Sequence, residues 1–299
     1  MTDVFSPQQP IPAELLGSLV DSTACLSDAL RLRQSFAESG YVFLREVLDR
    51  AEVFSARIEV FERLAQVGEI QAPAAEGIAT GASRRRELVG DLGAFWKSVS
   101  EGPLLRRVTH GWRLRELVSL VFDASARPHD YLFVRPAPVG NGTDLHYDYP
   151  FFAGRASQIV TCWVPLGEIP ISDGPLVVVE GSHRLIGAIE LMRLTGDPRT
   201  FAATRDAAYQ STARGARLLT AHFQPGDVIV FSGFTMHGSL DNHSPAGRVR
   251  LSVDVRYQPA TDPADDTRYF GPNPVGPKGG AYGEQKAAQP LGTLWTAQW

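Results

Sequence analysis

The chain has little cysteine. Cys25 and Cys162 are the only two among 299 residues, and neither stands in a C-x-x-C or Cys/His spacing of the kind that builds a zinc site or a redox couple. That excludes a disulfide framework and a thiolate metal centre; two buried thiols in a reducing cytoplasm are expected instead. Excess positive charge is also missing. The formal net charge is −4, which gives no electrostatic footprint for a nucleic-acid partner. No run approaches 18 consecutive apolar residues, so no membrane-spanning helix is expected. The start, Met1-Thr2-Asp3-Val4-Phe5-Ser6-Pro7, lacks the basic and apolar regions of a signal peptide. A soluble, cytoplasmic globular protein is the expectation.

The first half of the chain reads as helices. Ser27 to Ser39 has an apolar side (Leu30, Leu32, Phe36), Ser27 as its expected cap and Gly40 as its end. Tyr41-Val42-Phe43-Leu44 is a short strand. Asp49-Arg50-Ala51-Glu52 is a capping-box pattern with aspartate in place of Ser or Thr. The helix it opens carries Val53, Phe54, Ile58, Phe61 and Leu64 at helical spacing and closes at Gly68; this stripe is core packing. An Ala-, Gly- and Pro-rich loop over 69–90 contains Arg84-Arg85-Arg86, a triplet that usually marks a solvated face. Further helix is expected from about Asp91 to Ser100 and from Pro103 to Phe122.

After Arg127-Pro128 the pattern changes to strands. They are expected at 131–134, 159–164, 176–179, 218–223, 228–231 and 249–257, with a polar insertion over 184–215. Short strands with turn punctuation argue for a β-sandwich or jelly roll, with the N-terminal helices packed on one sheet. No repeat or linker divides the chain, so residues 1–299 are read as one domain, with irregular extensions at 1–25 and 260–299.

Leu145-His146-Tyr147-Asp148-Tyr149-Pro150 organises the chemistry. On an extended segment residues i and i+2 face the same way, so the His146 imidazole and the Asp148 carboxylate can grip one divalent metal. Two ligands do not complete a site. His237, 91 residues on in Phe234-Thr235-Met236-His237-Gly238-Ser239, is the best third, because a jelly roll gathers distant residues into one mouth. Two histidines and a carboxylate on one face of a metal, with open positions opposite, form the facial triad of non-haem Fe(II) oxygenases. His183 and His243 are read as structural. Downstream, Arg248, Arg250, Ser252, Asp254 and Arg256 share one strand face. Such a face usually meets solvent. Near a metal ligand, however, an arginine can anchor a dicarboxylate cosubstrate through a two-pronged pair, with Ser252 adding a hydroxyl.

Together these pieces resemble the phytanoyl-CoA dioxygenase family, Fe(II)- and 2-oxoglutarate-dependent oxygenases on a double-stranded β-helix. The resemblance rests on Tyr41-Val42-Phe43-Leu44-Arg45, His146-Tyr147-Asp148, Trp163-Val164-Pro165-Leu166, Gly174-Pro175-Leu176 with Gly181-Ser182-His183-Arg184, and His237-Gly238-Ser239 through Asn242 to Arg250 and Tyr257. These occur in family order over about residues 41–259, and the chain is most similar to tailoring members that modify terpenoids and other secondary metabolites. The fold implied is mainly β with flanking helices: a cupin-like jelly-roll core with the N-terminal helices packed on one sheet.

The resemblance implies that His146, Asp148 and His237 hold the iron. It also implies an arginine that binds 2-oxoglutarate. Counting from His237 favours Arg248, whereas counting back from the aromatic at the strand end favours Arg250, followed by Ser252. Strand register is fixed more tightly than loop length, so Arg250 is preferred and Arg248 kept second. Ser239 and Thr161 are further cosubstrate candidates. Trp163 is a candidate for lining the pocket or for plain core, and Arg135 for holding a substrate carboxylate or for a structural ion pair. The activity implied is oxidation, foremost hydroxylation, of an unactivated C–H bond of a small molecule such as a terpenoid or polyketide. Related halogenases lack the metal carboxylate, so the presence of Asp148 argues for hydroxylation, desaturation or ring closure. Loops 69–90 and 184–215 are candidate lids. Two other readings share the scaffold: a cupin-like metalloenzyme without 2-oxoglutarate, and a non-catalytic binding module.

Overall fold

The computed structural model of the protein describes residues 4–5, 10–152, 156, 158–185, 216–277 and 291. The elements that frame the site are, in chain order, Leu16–Ser18 (β1), Ala29–Ser39 (α1), Tyr41–Leu44 (β2), Arg50–Gln66 (α2), Leu92–Ser100 (α3), Pro103–His110 (α4), Trp112–Phe122 (α5), Ala126–Ala137 (β3), Thr143–His146 (β4), Tyr149–Phe152 (α6), Val160–Pro165 (β5), Leu176–Val179 (β6), Leu218–Thr220 (β7), Val228–Ser232 (β8), His237–Ser239 (β9) and Arg250–Pro259 (β10). These strands form two five-stranded sheets, ordered β2-β8-β5-β10-β3 and β1-β7-β6-β9-β4, and Val4–Phe5 pairs separately with Pro10–Ile11. All pairings are antiparallel except β1 with β7. From β3 to β10 the chain passes back and forth between the sheets. The exception is β6 to β7, which stay in one sheet and are joined by the polar insertion. This is the expected jelly roll.

The helices start where short polar side chains satisfy free backbone donors. Asp28 accepts from the Leu30 and Arg31 amides at 3.0 and 3.2 Å, so it caps α1 in place of the expected Ser27. Asp49 caps α2 on the Ala51 and Glu52 amides, and Asp91 caps α3 on Gly93 and Ala94. The single helix expected over 103–122 is two. Gly111 takes an extended ψ of 162° between α4 and α5, where a glycine has no side chain to hold the helical turn. Strand β3 starts at Ala126, five residues before its expected start, because the long β10 pairs with it from Arg250↔Ala137 to Pro259↔Ala126. The strands β1, β4 and β9 were not anticipated.

The core has two levels. On β10 the alternate residues Leu251, Val253, Val255 and Tyr257 are buried and join Leu132, Val134, Cys162 and Val164 beneath α2–α5. Full burial of side chains of this size is worth about 1.5–3 kcal/mol each. The other face of the same strand points between the sheets. Near one end of that space Tyr41, Phe43, Trp163, Phe223, Ile229 and Phe231 pack together. Next to them the interior is polar, and that is where the site lies. Residues 260–277 run in turns and bends. Trp295 and Trp299 lie outside the described residues, as does most of the 184–215 insertion.

Candidate metal and cosubstrate site

β9 joins the partners of the site. His237 is the cross-strand partner of His146, and the two imidazole centroids are 4.3 Å apart. The approach is tight: a Cβ on Gly238 would come within 2.5 Å of the Thr143 carbonyl oxygen of β4. Only glycine lets the strands close here, and the ladder shifts register between His237 and Ser239. His146 ends β4, and Asp148 sits in the turn that opens α6. His146, Asp148 and His237 each offer a ligand atom within 4.8 Å of the others. The distances from Asp148 are 3.7 Å to His146 Nε2 and 3.9 Å to His237 Nε2.

Backbone carbonyls fix both imidazoles. His146 Nδ1 lies 2.8 Å from the Asp144 carbonyl, and His237 Nδ1 lies 3.0 Å from that of Thr235. A proton on each Nδ1 leaves each Nε2 with a lone pair turned toward Asp148, the orientation a metal needs. Burial, and for His146 also the neighbouring His237, pushes both imidazoles below their ordinary pKa, so they stay neutral. Asp148 behaves oppositely. Burial alone would raise it, but Arg256, His237, His146 and the Thr161 hydroxyl hold it well below the carboxylate range. Two neutral imidazoles and an ionised carboxylate in a buried cluster are a donor set suited to a divalent transition metal.

A second cluster lies on β10. Arg250 is 3 % exposed. It donates from Nη1 to Ser252 Oγ at 2.9 Å and from Nη2 to Ser239 Oγ at 3.1 Å, while its buried Nε has no hydrogen-bond partner. Burial, then the nearby Arg135, pushes its pKa down to about 10. Among the described residues no carboxylate forms an ion pair with it. A buried guanidinium held by two hydroxyls is a seat for an anion. Arg248 differs: it pairs with Asp173 at 2.9 Å and its side chain is 40 % exposed.

The remaining expected residues are placed as follows. Thr161 donates to Asp148 Oδ2 at 2.5 Å, so the hydroxyl is committed to that carboxylate. Trp163 is 2 % exposed and packs edge-on against Phe223 at 4.7 Å. Arg135 pairs with Ser252 across the ladder and donates from Nε to Asp254 Oδ2 at 2.5 Å. His183 packs against Gly40 and reaches the Ala37 carbonyl. Arg85, from the basic triplet, does not face solvent. It and Glu69 form an ion pair at 2.6 Å with both side chains fully buried.

Sequence reasoning missed Asp254 and Arg256. Arg256 is 1 % exposed and donates to both oxygens of Asp148, at 3.0 and 2.8 Å from Nη2 and 3.2 Å from Nε. The alternating charges of β10 point into the molecule, contrary to the solvent face such a pattern usually means. The signal that could have found them is the unbroken apolar run on the opposite face of the strand.

The chain is 30% identical over 264 residues to a 1-deoxypentalenic acid 11-beta-hydroxylase of Streptomyces exfoliatus, covering 83% of this chain and 87% of that protein. It is 29% identical over 279 residues to the protein of the same name from Streptomyces arenae, covering 87% and 88%. In fold it resembles the non-haem alpha-ketoglutarate-dependent carbocyclase SnoK from nogalamycin biosynthesis, with a TM-score of 0.57 and 20% identity over 94% of this chain and 98% of that one. The epimerase SnoN from the same biosynthesis aligns with a TM-score of 0.55 and 20% identity, over 79% and 85%. The phytanoyl-CoA dioxygenase family model matches residues 36–250. The chain therefore belongs to the phytanoyl-CoA dioxygenase family, and it is an Fe(II)- and 2-oxoglutarate-dependent dioxygenase.

Proposed function

We propose that His146, Asp148 and His237 bind the ferrous iron and that Arg250, steadied by Ser252 and Ser239, binds the far carboxylate of 2-oxoglutarate. The observation that carries this reading is the buried Arg250 guanidinium, held by two hydroxyls with its Nε unpartnered and, among the described residues, in no ion pair. Arg248 is already paired with Asp173 on the outside, which favours Arg250 between the two. Bound iron and cosubstrate supply, with O₂, the oxidant that takes hydrogen from an unactivated C–H bond. The chain's own residues do the positioning. The Asp144 and Thr235 carbonyls set the imidazole tautomers, Thr161 and Arg256 fix the carboxylate, and the apolar packing around Trp163 keeps the other end of the barrel dry.

The substrate we infer is a small, largely apolar carboxylic acid of secondary metabolism, foremost a terpenoid acid, and the reaction is hydroxylation. Two observations support this. The relatives of known name are hydroxylases of 1-deoxypentalenic acid. The charges of the inner face also leave room for one anion: Arg135, Arg250 and Arg256 face Asp148 and Asp254, an excess of one positive charge. Ferrous iron and the 2-oxoglutarate dianion cancel one another, so a substrate carboxylate on Arg135 neutralises the excess. We read residues 1–299 as one oxygenase domain working in the cytoplasm.

The test is anaerobic. Adding Fe(II) and 2-oxoglutarate to the apoprotein should produce the weak visible charge-transfer band of the chelate. R250A should abolish it at cosubstrate concentrations that saturate the wild type, and R248A should keep it. Bound iron with no band would remove 2-oxoglutarate from this reading, and loss of the band in R248A alone would move the anchor there.

A further inference from the structure

The metal carboxylate does not stand alone. Asp148 is gripped by Arg256 through three short contacts. Nη2 of Arg256 also lies 3.7 Å from Asp254, and Asp254 in turn holds Arg135. The four side chains form a row of alternating charge, Arg135–Asp254–Arg256–Asp148. Asp254, Arg256 and Asp148 have 4 % side-chain exposure or less. The Arg256 guanidinium sits in the corner made by the Phe133 and Phe152 rings, its Cζ 4.5 and 4.7 Å from their centroids, with the rings inclined at 80°. The rings pack against it and shield it from water. Buried ion pairs are weak stabilisers, because desolvation offsets most of the attraction. A fold that needed only packing here would do as well with apolar side chains. Three fully buried charges in series beside a metal site therefore call for a functional account.

A carboxylate that accepts hydrogen bonds from a cation on both oxygens donates less charge to a metal. Asp254 lies 3.7 Å from the same Arg256 nitrogen, beyond hydrogen-bond reach, and its charge moderates that withdrawal. We infer that Arg256 is a positioning residue that fixes Asp148 and sets how strongly it donates to the iron, with Asp254 as the counterweight that links this setting to Arg135. This rests on Asp148 being an iron ligand, as proposed above. An anion arriving at Arg135 would loosen that arginine from Asp254. Asp254 would then be free to draw on Arg256 and release more of the Asp148 charge to the metal.

The experiment is the position of the anaerobic Fe(II)–2-oxoglutarate band, whose energy falls as the iron becomes richer in electrons. R256Q should move the band to longer wavelength, because Asp148 then donates fully. D254N should move it to shorter wavelength, because Arg256 then acts on Asp148 alone. R256K, which keeps the charge but not the two-pronged grip, should lie between R256Q and the wild type. Loss of packing alone gives no reason for opposite shifts. If R256Q fails to fold, as judged by circular dichroism, D254N and R256K carry the same prediction. Bands that coincide with the wild type in folded variants, or that shift in the same direction for R256Q and D254N, overturn the proposal while leaving the ligand assignment in place. Absence of any band in the wild type overturns both.

Discussion

Arg135 engages Asp254 through Nε, and its side chain keeps 17 % of its surface accessible, the most open of the three inner arginines. A charge-assisted hydrogen bond to a substrate carboxylate is worth about 1.5–3 kcal/mol. Arg135→Ala should therefore raise KM for an acidic substrate on the order of ten- to a hundredfold. Slow, uncoupled consumption of 2-oxoglutarate without substrate should persist. Steady-state kinetics beside a succinate assay separates the two, and a wild-type KM would leave Arg135 as an ion-pair partner alone. At this scale the sequence was readable where residue type is itself the evidence: two histidines and an aspartate at fitting places, and an arginine two residues before a serine. Asp254 and Arg256 were not. A period of two along a strand says that its faces differ, but not which face is wet. Leu251, Val253, Val255 and Tyr257 look the same whether the polar face meets solvent or a metal-lined interior.

The loop over 69–90 shows the same ambiguity at the level of an element. Its sequence reads as open and basic, yet Glu69 accepts from both Arg85 and Ser83 at 2.6 Å, and Arg85 lies over the Phe95 and Trp96 rings. Farther along, the loop joins the turn before β10: Ala79 donates to Gly247 at 3.1 Å and Val249 to Gly77 at 2.8 Å. It thus borders the strand that carries Arg250. Removing one member of a buried pair leaves the other charge stranded, at a cost of about 3–5 kcal/mol. R85M should lose stability by about that amount in urea denaturation, and the double variant E69L/R85M should recover much of it. Equal losses in the two would show that the pair is not the anchor. Long strands and helices were legible because their periodicity repeats. β4 and β9, at four and three residues, offer too few repeats to register, although they carry both histidines.

At the scale of the whole molecule, four imidazoles, His129 and His237 buried and His110 and His146 half-buried, are held in the neutral form. His110 is pushed down to about 3, chiefly by burial with Arg106 beside it, and His129 to about 4 by burial despite its hydrogen bond to Gln258. His146 and His237 are lowered as well. In the unfolded chain each takes a proton below about pH 6.5. The unfolded state then binds more protons, so stability is complete above that pH and drains away as the pH falls toward 4. The apoprotein's Tm should fall steadily between pH 6.5 and 4.5. H129Q should flatten the slope by up to one proton, about 1.4 kcal/mol per pH unit; an unchanged slope would show that His129 is not among the groups responsible. β10 bears on a different property, the kinds of change its lineage can survive. Every second residue from Arg250 to Gln258 serves the interior and the others serve the helices. A single inserted or deleted codon within that stretch would exchange the two sets and destroy core and chemistry together. Drift in length must therefore collect outside it: in the turn between Ser239 and Arg250, and in the long connection from β6 to β7, where the chain re-enters the sheet it left. New substrates can be acquired there without renegotiating the iron.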